Sequence, residues 1–344
     1  MPAFVDFFSD TKTRPNAAMR AAMAAAEVGD ERAGEDPTVN RLVARCAALL
    51  GKEAAIYLPS GTMCNQIALV VHCRPGDEVI CDATSHIIGY EGGGPAATAG
   101  VMITPIDGVR GMYTGEQLRA KLRPERPYAA RQRLVEVEQT SNLGGGAIWS
   151  REQLGQIAAI AHERGLATHM DGARLMNASV ASGVAPGDYA LGFDSVWIDF
   201  SKGLGAPGGA VLAGDAAFVR EATRVQLRLG GVMRQSGIIA AACEYALDHN
   251  VARLADDHAN ARRLAEGVAA IDGLAVDAPN VETNLVYIDI VDPRYDAAQV
   301  SKALLDRGVR FSEMGPCTLR AVTHLDVDAA AVEKAIAALK DILG

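Results

Sequence analysis

Lys202 lies in the run SVWIDFSKGLGAPGG, where the stretch 195–200 reads as a strand that ends at Ser201-Lys202 and opens into a glycine-rich turn. A lysine ammonium at the end of a buried strand is costly to desolvate unless it is paired or used in chemistry. Another strand end, LATHMDGARLMNA, comes earlier in the chain and presents Asp171 and Arg174. An amine and a carboxylate on strand ends of one sheet are the two handles of a pyridoxal phosphate site. The lysine forms the Schiff base, and the aspartate holds the ring nitrogen protonated. Gly203-Leu204-Gly205-Ala206-Pro207-Gly208 also fits G-x-G-x-x-G, with Glu221 near the acidic distance. A dinucleotide fingerprint must open a helix, however, and here Pro207 and the strand-like GGAVLAG follow.

Ser60-Gly61-Thr62 follows a strand and opens a helix. Free backbone N–H groups, two hydroxyls and the positive helix end suit a phosphate, although the same residues also make an ordinary helix cap. His86, in CDATSHIIGYEGGG, follows another strand. Its flat ring suits stacking on a cofactor, and its pKa suits proton transfer. Glu91, five residues on, could orient that ring or act as a base. Arg174, Arg234 and Arg320 sit beside small residues in DGARLMNA, GGVMRQSG and CTLRAVTH. Guanidinium forks there suit a carboxylate or a phosphate.

These residues need a scaffold, and the pattern supplies one. EAAIYLPS, DEVICDA, GVMITPI, RLVEVEQT, LATHMDG, SVWIDF and GGAVLAG read as strands, separated by helices such as GTMCNQIALVVHC and REQLGQIAAIAHERG. Such alternation predicts an α/β domain with a mainly parallel sheet covered on both faces. Beyond about residue 250 the order changes to a long helix, the strands LAVDA, TNLVYIDI, VRFSEM and TLRAVTHL, and a last amphipathic helix. The expected division is an N-terminal segment 1–35, a large domain 36–250 that holds the cofactor, and a small α+β domain 251–344.

The chain has 344 residues and a formal net charge of −9, which argues against nucleic acid or an anionic membrane as the main partner. No apolar run reaches transmembrane length and the start shows no signal peptide, so a soluble cytoplasmic protein is expected. The six cysteines form no C-x-x-C pair and read as small buried hydrophobes rather than zinc ligands; no metal is expected.

Taken together, SDTKTRP, GEDPTVNRL, KEAAIYLPSGTMCNQIAL, HMDGARLMNA, SKGLGAP, GGVMRQSGI and RAVTHLDV resemble the low-specificity L-threonine aldolases, in order and over nearly the whole chain. The resemblance implies a fold-type I pyridoxal-phosphate enzyme that cleaves L-threonine, L-allo-threonine or related β-hydroxy-α-amino acids to glycine and an aldehyde. It implies Lys202 as the Schiff-base lysine, Asp171 on the ring nitrogen, His86 stacked on the ring, and Ser60, Gly61 and Thr62 on the phosphate. Ser9, Arg174 and Arg320 would bind the substrate carboxylate. Arg234 would reach the phosphate of a neighbouring subunit in a homodimer or homotetramer with shared sites.

Two positions depart from the family pattern. Ala33, in ERAGEDP, stands where the family commonly has tyrosine. Ser141, in EQTSNLGGG, stands where it has a histidine that contacts the substrate hydroxyl. Serine has a shorter reach and is a poor base near neutral pH. The base is therefore open between His86, Glu91, a water and the cofactor phosphate. A β-eliminating lyase, giving a keto acid and ammonia, is the alternative chemistry for the same site. A cofactor-binding sensor without turnover is a further one.

Overall fold

The computed structural model describes residues 4–343. A short strand β1 (Val5–Asp6) precedes the large body, whose strands are β2 (Ala54–Leu58), β3 (Glu78–Asp82), β4 (Met102–Ile106), β5 (Gln132–Glu138), β6 (Ala167–Asp171), β7 (Ser195–Asp199) and β8 (Ala210–Gly214). They form one sheet in the order β2-β8-β7-β6-β5-β3-β4, with β8 antiparallel to both neighbours and the other pairs parallel. Each of the seven segments expected to be a strand is one. β3, β7 and β8 are buried along their whole length, as a sheet covered on both faces requires.

The helices start where the local chemistry says they should. Asp36 caps the helix Pro37–Leu50 by accepting from Val39 N, with Pro37 in the first turn and Gly51 left-handed at its end. Ser60 caps the helix Gly61–His72 by accepting from Met63 N. A Cβ at Gly61 would lie 2.2 Å from the Trp197 ring, so only glycine allows this helix to start beneath that indole. Gly172, just after β6, is equally confined, because a Cβ there would lie 1.8 Å from Trp197 O.

The later part of the chain builds a second sheet from β9 (Leu274–Ala275), β10 (Leu285–Ile290), β12 (Ser312–Gly315) and β13 (Thr318–Val322), in the order β12-β13-β10-β9. Val286, Ile288, Leu319 and Ala321 face its own apolar core, with Leu264, Val268, Val332 and Leu339 from two flanking helices. The segment VRFSEM, expected as one strand, is two. β11 (Val309–Arg310) pairs in parallel with β1, and Ser312–Gly315 pairs with β13. The N-terminal strand is thus joined to the C-terminal part, and Phe7 lies in that second core. Five of the six cysteines are buried, as expected; Cys317 is exposed.

Candidate active site

β6 and β7 are parallel neighbours, and their C-terminal ends bring Asp171 and Lys202 to one place. Lys202 Nζ lies 2.8 Å from Asp199 Oδ2, with its side chain 17% exposed. Asp199 is fixed in turn, its Oδ1 accepting from Ser201 N and Ser201 Oγ. Burial alone would lower the pKa of Lys202. The charges of Asp199, Asp171 and Asp10 outweigh burial and Arg174, so the pKa is raised.

Asp171 is buried, with Oδ2 accepting from Asn65 Nδ2 at 2.8 Å and Oδ1 from Ala173 N at 3.0 Å. Burial raises its pKa against the attraction of His86 and Lys202. His86 opens a short turn of helix and stacks on Tyr90 at 5.5 Å between centroids. Its Nδ1 is 2.9 Å from Glu91 Oε1. Burial works to lower the His86 pKa. The bond to Glu91 and the charges of Asp171 and Glu138 outweigh it, and the net shift is upward.

Glu91 has no oxygen to spare. Oε1 accepts from Asn65 Nδ2 as well as facing His86, and Oε2 accepts from Gln66 Nε2 at 2.5 Å. Ligand-type atoms of His86, Glu91 and Asp171 lie within 4.8 Å of one another, and Asn65 Nδ2 donates to both carboxylates there. Of the roles open to Glu91, the geometry therefore favours orienting His86.

The arginines fare differently. Arg174 is buried and donates from Nε and Nη2 to the two oxygens of Asp10, each at 2.8 Å. Asp10 also accepts from Asn284 Nδ2. Burial would raise the Asp10 pKa, but the Arg174 guanidinium holds it well below the usual carboxylate range. Arg320 donates from Nη1 to Asn142 Oδ1 at 3.0 Å and from Nη2 to Phe8 O at 3.3 Å, while its buried Nε has no partner among the described residues. Ser9 is next to Phe8, and its Oγ accepts from Thr11 N and Thr11 Oγ1. Arg234 is exposed and pairs with Asp30 at 2.9 Å.

Ser60 and Thr62 are exposed at the helix start around buried Gly61. Ser141 is buried, its Oγ accepting from Gly144 N at 3.2 Å within its own turn. The adjacent Asn142, rather than Ser141, reaches Arg320. Ala33 is exposed in the turn Glu31–Ala33, next to which Glu31 N donates to Arg234 O.

Several residues at this site carried no clear sequence signal. Asp10, Asn65, Glu138, Asn142 and Asp199 are polar residues in helices, strand ends or loops without a diagnostic spacing. Glu138, at the end of β5, accepts from His86 N and Asn142 N. Burial, together with the charge of Asp171, pushes its carboxyl up to about 7. Asp199, three residues before the lysine, could have been read as its partner.

Residues 6–291 match the beta-eliminating lyase family. A low-specificity L-threonine aldolase of Escherichia coli (strain K12) is 40% identical over 324 residues, covering 94% of each chain. Low-specificity L-threonine aldolase 1 of Arabidopsis thaliana is 40% identical over 325 residues, covering 93% of this chain and 91% of that one. A threonine aldolase structure from Leishmania major shares the fold, with a TM-score of 0.84, 21% identity and coverage of 98% and 99%. The family match and these relatives show that the chain belongs to the low-specificity L-threonine aldolases of the beta-eliminating lyase family.

Proposed function

We propose that this chain is a pyridoxal-phosphate-dependent lyase that cleaves L-threonine, L-allo-threonine and related β-hydroxy-α-amino acids to glycine and an aldehyde. The observation that supports this most is the Lys202–Asp199 pair beside buried Asp171, in a chain of this family.

The residues fit the cofactor. A partly buried amine and a buried carboxylate stand on neighbouring strand ends, and a helix start bearing Ser60, Gly61 and Thr62 offers N–H groups and hydroxyls to a phosphate. The partnerless Nε of Arg320 leaves a buried donor for an anion. When bound, pyridoxal phosphate supplies an electron sink for the charge left on Cα as the Cα–Cβ bond breaks.

The chain's own residues do the rest. Lys202 Nζ would anchor the cofactor, and Asp171 would hold a proton at its ring nitrogen. His86 would stack on the ring. With Nδ1 directed at Glu91, its Nε2 is the nitrogen left to take the proton of the β-hydroxyl. Arg320, Ser9 and the Nη1 of Arg174 hold the substrate carboxylate. That clamp would orient the groups on Cα and so select which bond breaks. Ser141 and Ala33, in place of larger polar groups, favour substrates with a larger β-substituent.

Arg234 and Ala33 share an exposed surface, which supports a homodimer, and a tetramer of such dimers, in which Arg234 reaches the phosphate of the neighbouring copy. The second sheet with its own core supports a large cofactor-binding domain 36–250 and a small domain 251–344, with 1–35 as the segment that links them. No described helix is long and apolar enough to cross a membrane. Six free cysteines are in keeping with a reducing compartment, and we place the protein in the cytoplasm.

The test is product analysis of the pyridoxal-loaded protein with L-threonine, L-allo-threonine and L-phenylserine. Glycine plus aldehyde is expected, with loss of turnover in Lys202→Ala. A keto acid plus ammonia would replace the aldolase with a β-eliminating lyase, and a bound cofactor without turnover would point to a sensor.

A further inference from the structure

Behind Asp171 runs a line of buried polar groups that the proposed reaction does not touch. Trp197 Nε1 donates to Asn65 Oδ1 at 2.7 Å. An indole N–H can only donate, so this atom of Asn65 is its oxygen. Nδ2 then carries the hydrogens given to Asp171 Oδ2 at 2.8 Å and Glu91 Oε1 at 2.7 Å. His169 Nε2 stands 3.1 Å from the same Asn65 oxygen and, facing an acceptor, must hold the ring hydrogen. Burial pushes the His169 pKa down to about 3, so the ring is neutral and its Nδ1 accepts.

The direction then passes outward without a choice. Ser195 Oγ, 2.8 Å from His169 Nδ1, must donate to it. The same oxygen is 2.8 Å from His72 Nε2, which must donate in turn. Burial pushes His72 down to about 4, against the attraction of Asp194 and Asp215 and with the help of Arg133. His72 stacks on Phe218 and ends the line at a surface cavity of about 470 Å³.

We propose that His169, Ser195 and His72 are positioning residues for Asp171. Through Asn65 they direct every hydrogen of the line toward its carboxylate, which keeps Asp171 ionised and aimed at the cofactor's ring nitrogen. The need is physical. Asp171 is buried, a state that favours the neutral acid, and Asn65 is its one side-chain donor among the described residues. Aligned donors polarise one another, so Asn65 backed by the line is a stronger donor than Asn65 alone. The inference rests on the cofactor assignment above.

Two measurements test it. Histidine ¹⁵N NMR of the cofactor-free protein reads the tautomers without reference to function: His169 and His72 should be neutral and protonated at Nε2 at neutral pH. Pyridoxal phosphate labelled with ¹⁵N at its ring nitrogen is then compared in wild type, Ser195→Ala and Val196→Ala. Val196 is buried beside Ser195 on β7 and contributes no polar side-chain group to the line. In Ser195→Ala the ring signal should move toward unprotonated pyridine, and kcat should fall about threefold to tenfold with KM unchanged. Val196→Ala should lose stability and leave the ring signal in place. Should Ser195→Ala fail to fold, His72→Leu, at the outer end, should shift the ring signal in the same direction by less. A His169 protonated at Nδ1, or a ring signal unmoved when the line is cut, overturns the proposal. Failure to take up pyridoxal phosphate would overturn the proposed function as well, while the tautomers would still report whether the line exists.

Discussion

Arg174 and Asp10 form a two-bond pair across 164 residues of chain, with Nε and Nη2 each 2.8 Å from a carboxylate oxygen. Both side chains are buried, so breaking the pair strands a charge. Asp10→Asn is expected to destabilise the protein by about 3–5 kcal/mol, read in thermal or denaturant unfolding. The pH dependence follows from the sign of the shift. The Asp10 pKa is lowered in the folded state, so its contribution is full above the ordinary carboxylate value of about 4 and declines as the pH falls below it. Wild type should therefore lose stability more steeply than Asp10→Asn below about pH 4.

Glu91 raises the pKa of His86 through its hydrogen bond to Nδ1. Activity that needs an unprotonated His86 Nε2 is lost as the pH falls through that pKa. Glu91→Gln should lower the His86 pKa and move the acid limb of log kcat/KM to lower pH, with a reduced plateau. An unmoved acid limb would take proton transfer away from His86.

Arg320 offers its partnerless Nε and a fork already steadied by Asn142 and Phe8 O. Arg320→Ala is expected to raise KM for the amino acid by about tenfold or more while leaving the spectrum of the bound cofactor unchanged. Arg320→Lys should recover little, because an ammonium cannot reproduce the fork.

Gly61 starts its helix directly under the Trp197 ring. Trp197 is buried and donates to Asn65, so it has little room to yield. Gly61→Ala is expected to cost about 1–3 kcal/mol of stability and to weaken pyridoxal phosphate binding, measured by equilibrium dialysis.

The seven strands of the large sheet were legible because each is a short apolar run bounded by turn residues, and buried parallel strands look like that. Lys202 and Asp171 were legible because a charge at the end of such a run is costly without a role. VRFSEM was misread as one strand because local propensity carries no record of its two partners, β1 and β13. Asn65 was hidden for a similar reason: an asparagine inside a helix reads as a solvated residue until the Trp197 indole and two carboxylates are seen to converge on it. Ser141 shows the opposite limit. Motif position put its hydroxyl in a substrate pocket, and the structure adds that its oxygen accepts from Gly144 N within its own turn.

The pairing of β1 with β11 sets the order in which the protein can become competent during synthesis. Ser312 Oγ donates to Phe8 O across 304 residues, and Arg320 donates to the same oxygen across 312. While the chain is still on the ribosome, β1 has no strand to join, and Phe8 O has neither Ser312 nor Arg320 to accept from, until the residues beyond 309 have emerged. The large sheet, complete by Gly214, can form earlier. The cofactor-side groups Asp171 and Lys202 are therefore synthesised before Arg320 can complete the proposed substrate clamp.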